Sequence, residues 1–192
     1  MKTLILNGSH HRKGNTAALV DEFMSTLEGD VNVVDCYSVQ VAPCNDCRFC
    51  YKNPGCRIKD DMQTVYEKIE AADVVVLATP MHFGITSAPL FTVVSRLQTC
   101  WAQRHVRKQP APQGQKLGAM LVACGTRWMN MELLCDGLAT FTFSHINVSE
   151  VVGRVYAKST DKRPAVENES AVQPVRRPAH TSDHRPLGEW AY

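Results

Sequence analysis

The 192-residue chain has no long apolar run and almost no excess of charge of either sign. None of its segments approaches the roughly 18 consecutive apolar residues that a membrane-spanning helix needs. Lysine and arginine together number 21 against 19 acidic residues, so the formal net charge is only +2. A balance this close gives no support for a polyanion-binding surface, and we predict neither nucleic acid nor membrane partners.

The first residues also lack the features of an export signal. The run MKTLILNG at 1–8 is too short and too soon interrupted by polar residues, and we interpret it as a buried strand. The chain still contains eight cysteines. Without an export signal, such thiols are expected to serve metals or redox chemistry rather than disulfides, so we predict a cytoplasmic protein.

Short apolar runs alternate with segments of helical period along the first 150 or so residues. An apolar fraction of 44% and this length suit one α/β domain. The predicted strands are 3–6, 31–36, 74–78, 117–123 and 146–152. The predicted helices are 16–27, 61–71, 88–104 and 129–141. Continuous apolar runs are typical of strands covered on both faces, so we predict a flavodoxin-like, doubly wound parallel sheet of five strands in the order 2-1-3-4-5.

The composition changes after Val152, where prolines and charges replace large apolar residues. We therefore divide the chain into an α/β domain at 1–153, with a cysteine-rich loop at 43–57, and an irregular C-terminal arm at 154–192. The arm ends with Trp190 and Tyr192, and aromatic residues of this kind concentrate in interfaces. We predict a homodimer or homotetramer with the arm in its interface.

The segment GSHHRKGNT at 8–16 follows the first predicted strand and opens the first predicted helix. Backbone N–H groups at a helix start lack internal partners and lie at the positive end of the helix dipole, so this turn can bind a phosphate. Ser9, Asn15 and Thr16 add short hydrogen-bond donors. The alternative interpretation is that Asn15 only caps the helix, with the two glycines needed for the turn.

A second turn, TPMHFG at 79–84, lies where the third predicted strand ends. In flavodoxin-like sheets the ligand lies beyond the carboxyl ends of the first and third strands. Pro80 makes such a turn rigid, Gly84 permits close backbone approach, and the amides between them can hydrogen-bond a flat polar ring. The alternative is a tight strand–helix turn in which Phe83 packs in the core and His82 faces solvent.

Four cysteines fall within thirteen residues. They are Cys44, Cys47, Cys50 and Cys56. Three thiols within seven residues converge on one object only if the backbone coils around it, which is typical of a loop around a [4Fe–4S] cluster. Zinc sites more often use two separated pairs. Zinc, a Cys44–Cys47 redox disulfide and free thiols stay open as alternatives. The remaining cysteines lie on apolar faces and are predicted to be buried thiols. They are Cys36, Cys100, Cys124 and Cys135.

In combination, segments 8–16 and 79–90, with KDDM at 59–62, resemble the flavodoxin-fold NADPH-dependent FMN reductases. The four-cysteine spacing resembles their iron–sulfur flavoprotein branch. The resemblance covers about residues 1–150 and implies FMN as cofactor and a [4Fe–4S] cluster on the four cysteines. It implies that Ser9, Asn15 and Thr16 hold the FMN phosphate, and His11, Arg12 and Gly14 in the same turn are further candidate FMN-binding residues. Those implied along the isoalloxazine ring are Pro80, Met81, His82, Phe83 and Gly84, with Cys124 and Gly125 bordering it.

One departure lies in the first turn, because the family often has Pro-Arg where this chain has His10-His11. Arg12 is then the substitute for the usual arginine. The sequence as a whole predicts an FMN-dependent oxidoreductase or electron-transfer flavoprotein that takes electrons from NAD(P)H or a reduced carrier. His82 is a candidate for proton delivery to the flavin.

The alternatives to this function are an FMN reductase without a cluster and a thiol-based metal or redox sensor on the same scaffold. The other histidines share no ligand spacing and are predicted to lie on the surface. They are His105, His145, His180 and His184.

Overall fold

The computed structural model describes residues 1–110, 114–127 and 130–167, which contain six strands and six α-helices. The strands are β1 Lys2–Asn7, β2 Asp30–Asp35, β3 Val74–His82, β4 Ile85–Thr86, β5 Lys116–Ala123 and β6 Val148–Ala157. The helices are α1 Asn15–Ser25, α2 Phe49–Lys52, α3 Met62–Ala71, α4 Ala88–Ser95, α5 Gln98–His105 and α6 Leu133–His145, followed by a 3-10 helix at Ala165–Glu167. Within these ranges, no helix is both long and apolar enough to span a membrane.

The sheet has the strand order β2-β1-β3-β5-β6, and every pair of neighbours in that order is parallel. Counted among parallel strands alone, this is the predicted flavodoxin-like order, and the α/β fold class is confirmed. The sheet differs from the prediction in one short strand. β4 turns back antiparallel onto the end of β3, pairing Met81 with Thr86 and His82 with Ile85. Two residues are too few to show a strand period in sequence.

Side chains on the central strands alternate between two apolar layers. Leu77 of β3 and Met120 of β5 pack with α3, α4 and α6 on one face. Val76 of β3 and Leu121 of β5 pack with α1 on the other. Both faces of these strands are therefore buried, which explains their continuous apolar runs. Each such side chain contributes about 1.5–3 kcal/mol on burial.

The observed bounds differ from the predicted ones, most clearly in four elements. β3 continues to His82 rather than ending at 78, and α6 ends at His145 rather than at 141. The predicted helix 88–104 is two helices, α4 and α5, because the chain tightens into a turn at Arg96 and Leu97, whose N–H groups bond to carbonyls three residues back. The last strand is β6 rather than 146–152, so it starts later and continues five residues further. The predicted start of the fourth helix, at 129, lies outside the described residues.

The segment that follows β6 packs on the domain. The backbone N–H of Ala165 donates to Asn15 Oδ1 at 2.8 Å, and Ala165 is fully buried. The predicted boundary at 153 thus falls inside β6. The rest of the predicted arm, 168–192, with Trp190 and Tyr192, lies outside the described residues, so the division into domain and arm stays a prediction.

Candidate functional site

Three turns leave the sheet along its carboxyl edge. The strands pair in register, with Asn7 beside Ala78 and Pro80 beside Ala123, so β1, β3 and β5 end close to one another. The residues predicted to contact FMN lie in the turns after these strands, in the last residues of β3 or in the first two residues of α1. The structure therefore brings the three predicted segments to one edge, where ligands of doubly wound sheets bind.

Helix α1 begins at this edge without a side-chain cap. Its N-cap is Gly14, and its first turn contains no acidic residue. The N–H groups of that turn therefore face the edge at the positive end of the helix dipole, an arrangement suited to an anion. The interpretation of Asn15 as the cap is wrong, because Asn15 is the first helical residue.

The Asn15 side chain contacts a different part of the chain. Its Nδ2 lies 3.5 Å from Thr160 O as a donor, and its Oδ1 accepts from the Ala165 backbone. An anion at this turn would thus meet the Asn15 backbone N–H rather than its amide group. Ser9 and Thr16 are nearly buried in the turn, whereas His11 and Arg12 are exposed.

Gly8 allows the first turn to approach α4 closely. A Cβ atom at Gly8 would lie 2.5 Å from Ser87 Oγ and 2.8 Å from Leu90 Cβ. Ser87 itself is fully buried, and its Oγ has no hydrogen-bond partner among the described residues. An unpaired buried hydroxyl costs about 1–3 kcal/mol, which a bound polar ligand would offset. Sequence reasoning missed Ser87, which follows the second turn by three residues.

The second turn is a β-hairpin rather than a simple strand–helix connection. Phe83 and Gly84 form its two-residue loop, with φ of 52° and 84°. The Phe83 side chain is fully exposed, so the alternative that places Phe83 in the core is wrong. An aromatic residue with positive φ is uncommon, and strained residues of this kind concentrate at functional sites. Pro80 and Met81 are half-buried, and His82 is exposed.

The third turn lies under the segment that follows β6. Cys124 is buried, and its carbonyl accepts from Thr160 N at 2.9 Å. A Cβ atom at Gly125 would lie 2.5 Å from Asp161 Oδ2, so the glycine leaves room for that carboxylate. Residues 158–161 are thus part of this edge, and their polar sequence contains no signal that would have placed them there.

The four cysteines of the loop line one cavity. Cys44 and Cys47 are exposed, and Cys50 and Cys56 are half-buried. Left-handed backbone at Asp46, Arg48 and Gly55 coils the loop, with φ of 50°, 55° and 76°. The loop backbone therefore turns sharply at three points, and convergence of the four thiols on one group stays a prediction.

The thiols of this loop lie close enough for the charge on one to affect the ionisation of another. Burial raises the pKa of the Cys50 thiol, and the three other loop cysteines raise it further. Within the described ranges, no three histidine, cysteine or acidic side chains are placed to hold a single metal ion. A cubane cluster instead takes one thiolate at each of four irons.

The Arg96 side chain lies at the base of the loop with none of its surface exposed. Its Nη1 donates to Asp60 Oδ2 at 2.6 Å and to Ala42 O at 2.8 Å, and its Nη2 donates to Asp60 Oδ1 and Ile58 O. Burial alone would raise the pKa of Asp60, but hydrogen bonds from Arg96, Ala42 and Met62 lower it overall. Asp60 and Arg96 are therefore a charged pair.

Arg96 also lines the four-cysteine cavity. Its Nε has no partner among the described residues, although it is buried. A buried donor without a partner beside a cavity is suited to donate a hydrogen bond to the electronegative atoms of an anionic ligand. Sequence reasoning missed Arg96, although an arginine inside the apolar run at 88–97 is a signal that could have found it.

The remaining cysteines are buried or half-buried thiols. Burial raises the pKa of Cys36 to about 12 and the pKa values of Cys135 and Cys100 to about 11. All eight cysteines of the chain are free. The prediction of buried thiols is confirmed for Cys36, Cys124 and Cys135, whereas Cys100 is half-buried.

The prediction that His145 lies on the surface is wrong. This side chain is buried at the end of α6, and its Nε2 lies 3.2 Å from the Nε2 of His105. Its Nδ1 lies 2.7 Å from Phe141 O. His180 and His184 lie outside the described residues.

Comparisons with known proteins agree with these features. A family model described as NADPH-dependent FMN reductase matches residues 1–163. An iron–sulfur flavoprotein of Archaeoglobus fulgidus is 30% identical over 139 residues, which are 71% of this chain and 68% of that protein. An iron–sulfur flavoprotein of Methanosarcina thermophila is 27% identical over 156 residues, 80% of this chain and 78% of that protein.

Among solved structures, the fold is similar to an NAD(P)H:quinone oxidoreductase from Methanothermobacter marburgensis. The TM-score is 0.68 at 17% identity, over 88% of this chain and 90% of that one. This likeness concerns the fold alone. From the family match and the relatives, we conclude that the chain belongs to the NADPH-dependent FMN reductase family, in its iron–sulfur flavoprotein branch.

Proposed function

We propose that the protein is an FMN-dependent oxidoreductase that passes electrons from NAD(P)H or a reduced carrier through FMN and a [4Fe–4S] cluster. The observation that carries the proposal is that Cys44, Cys47, Cys50 and Cys56 line one cavity together with the buried Arg96. The family match to FMN reductases and the names of the relatives support the same pair of cofactors.

The carboxyl edge of the sheet would hold FMN. The first turn of α1, with Ser9, Thr16 and the backbone of Gly14 and Asn15, would bind the phosphate. His11 and Arg12 are exposed beside it and would add positive charge from the solvent side. FMN, when bound, accepts a hydride or two single electrons.

The hairpin after β3 would lie along the flavin ring. Pro80 and Met81 would give it a half-buried wall, and Phe83 and Gly84 would expose backbone N–H groups at the loop. Cys124 and Gly125 would border the ring from the neighbouring strand. The exposed His82 imidazole is proposed to deliver a proton from solvent to this site.

The cysteine loop would hold the cluster, which carries one electron at a time when bound. The four thiolates would supply its ligands, and the buried Arg96 guanidinium would offset part of their negative charge. The polypeptide thus would separate a two-electron site on the sheet from a one-electron site on the loop.

The experiment that tests this function is cofactor analysis of anaerobically purified Cys47→Ser. We expect iron and acid-labile sulfide to fall together while FMN per chain stays unchanged, because the phosphate turn lies on another strand. Cys100→Ser is the matched control, since it removes a half-buried thiol that does not line the cavity. One zinc per wild-type chain with no iron would contradict the cluster, and absence of flavin would contradict the oxidoreductase.

We also propose a homodimer or homotetramer in a reducing, cytoplasmic compartment. Phe83, Ile85 and Phe91 expose apolar side chains next to the carboxyl edge, and such patches often mark interfaces. Deletion of 168–192 spares the segment that packs on α1 and isolates the effect of the arm. Light scattering should show a smaller assembly, whereas an unchanged mass and flavin content would make the arm dispensable.

A further inference from the structure

We propose that Arg96 is a positioning residue for the cysteine loop, in which its two terminal nitrogens hold both ends of the loop and its Nε–H donates to a sulfur of the bound cluster. The second part rests on the proposed function, because it needs the cluster. The first part does not need any bound group.

The hydrogen bonds of Arg96 account for four of its five N–H groups. The guanidinium carries two N–H groups on each Nη and one on Nε. Each Nη makes two bonds, one to a backbone carbonyl and one to the Asp60 carboxylate. Only the Nε–H has no acceptor among the residues that the structure describes. A buried donor in this state costs free energy until a ligand or water accepts from it.

The two carbonyls lie at opposite ends of the loop. Ala42 immediately precedes loop residues 43–57, and Ile58 immediately follows them. Asp60 links the same two ends, because its Oδ2 also accepts from Ala42 N at 2.9 Å. One arginine–carboxylate pair therefore closes the loop at its base.

A hydrogen bond to its backbone carbonyl also fixes the position of Arg96. Tyr66 of α3 donates from its hydroxyl to Arg96 O at 2.7 Å. The guanidinium is planar and its donors form a rigid fork, so lysine cannot contact both loop ends and the cavity at once. A hydrogen bond to a cluster sulfur is also one of the ways in which a protein raises the cluster's reduction potential.

We call the hydrogen bonds of the Arg96–Asp60 pair to the two loop ends the clamp. It is tested with Arg96→Lys and Asp60→Asn in the anaerobically purified full chain. Arg154→Lys is the matched control, because it alters an arginine–aspartate pair between β6 and α6. We expect iron loss to a chelator to become about 10- to 100-fold faster in both variants, as for other outer-sphere substitutions. Hydrogen exchange should rise at 43–57 and not in β1, β3 or β5, which separates loop opening from global unfolding. Iron retention and loop exchange equal to those of Arg154→Lys in both variants would overturn the proposal.

The Nε contact is tested by pulsed EPR on reduced protein labelled with 15N at arginine Nε. We expect a weak 15N coupling in the wild type that disappears in Arg96→Lys. An iron-loaded wild type without this coupling would overturn the contact. If the wild type contains no iron, the contact and the cluster function fail together. The clamp is still decided in that case, because exchange at 43–57 in Asp60→Asn does not depend on a cluster.

Discussion

At the carboxyl edge of the sheet, backbone groups of neighbouring elements hold each turn, whereas the base of the cysteine loop is held by one buried side chain. Gly8 N donates to Ala78 O at 2.7 Å, and Cys124 bonds through its N–H and carbonyl to the chain around Ala157 and Thr160. The two ends of the loop are instead joined by Arg96 and its partner Asp60, which bond to Ala42 and Ile58.

This difference has a consequence for how each site responds to substitution. A turn fixed by the sheet keeps its shape while its polar side chains change, so binding and folding can be altered separately there. At the base of the loop, removal of either charge of the Arg96–Asp60 pair leaves the other uncompensated. An unpaired buried charge is costly, so we expect the two loop ends to separate in such a variant.

The largest effect is expected at the phosphate turn. Ser9→Ala combined with Thr16→Ala removes two hydroxyl donors, each contributing about 1.5–3 kcal/mol to a charged ligand, so FMN affinity should fall at least about a hundredfold. Flavin titration of the apoprotein measures this, and iron content should stay unchanged. Ser25→Ala, at the far end of α1, is the control. Unaltered flavin affinity in the double variant would remove the phosphate assignment.

The close packing at the carboxyl edge is tested by Gly8→Ala. The added methyl group would lie within 3 Å of Ser87 and Leu90, and overpacking of this kind costs about 1–3 kcal/mol. Gly137→Ala is the opposite control, because nothing lies near a Cβ atom there and alanine stabilises a helix by about 0.5–1 kcal/mol. Urea denaturation should show a lower free energy of unfolding than the wild type for Gly8→Ala and a higher one for Gly137→Ala. If Gly8→Ala leaves the free energy of unfolding unchanged, the carboxyl edge accommodates the added methyl group more easily than these distances indicate.

The comparison also shows which features the sequence could predict. The central strands and the turn at 8–16 are legible because continuous apolar runs and a glycine-rich helix start are local patterns. Arg96 stands out as an arginine inside an apolar run, but its role could not be predicted, because its partner Asp60 is more than thirty residues away. Ser87 has no signal in the sequence, because its role depends on its close approach to Gly8. The contact between Gly125 and residues 158–161 could likewise not be predicted, because it joins distant parts of the chain and the later segment is polar.

A smaller effect is expected where the segment after β6 meets α1. Asn15→Ala removes the acceptor of Ala165 N, a hydrogen bond that contributes about 1 kcal/mol. Hydrogen exchange should rise at 158–167 and stay unchanged in the cysteine loop. Asn53→Ala is the control, since Asn53 makes a local bond within that loop. Equal exchange at 158–167 in both variants would show that Ala165 is held by packing alone.

The smallest effect is expected from acid, at the contact between His105 of α5 and His145 of α6. Burial lowers the pKa of His145, and His105 and Arg104 lower it further, although Phe141 O raises it. The folded state therefore disfavours the charged imidazole. The unfolded chain takes up this proton near pH 6.5, so stability is complete above that pH and falls as the pH drops toward the lower folded pKa.

The measurement is urea denaturation between pH 7.5 and about pH 5, a range that spans the unfolded pKa of histidine. His145→Gln should flatten the slope in this window, because its side chain takes up no proton. A wild-type stability that rises on acidification would contradict the lowered pKa. Hydrogen exchange at pH 5.5 should then increase in α5 and α6 before it increases at the phosphate turn, because the protonated ring lies between those two helices.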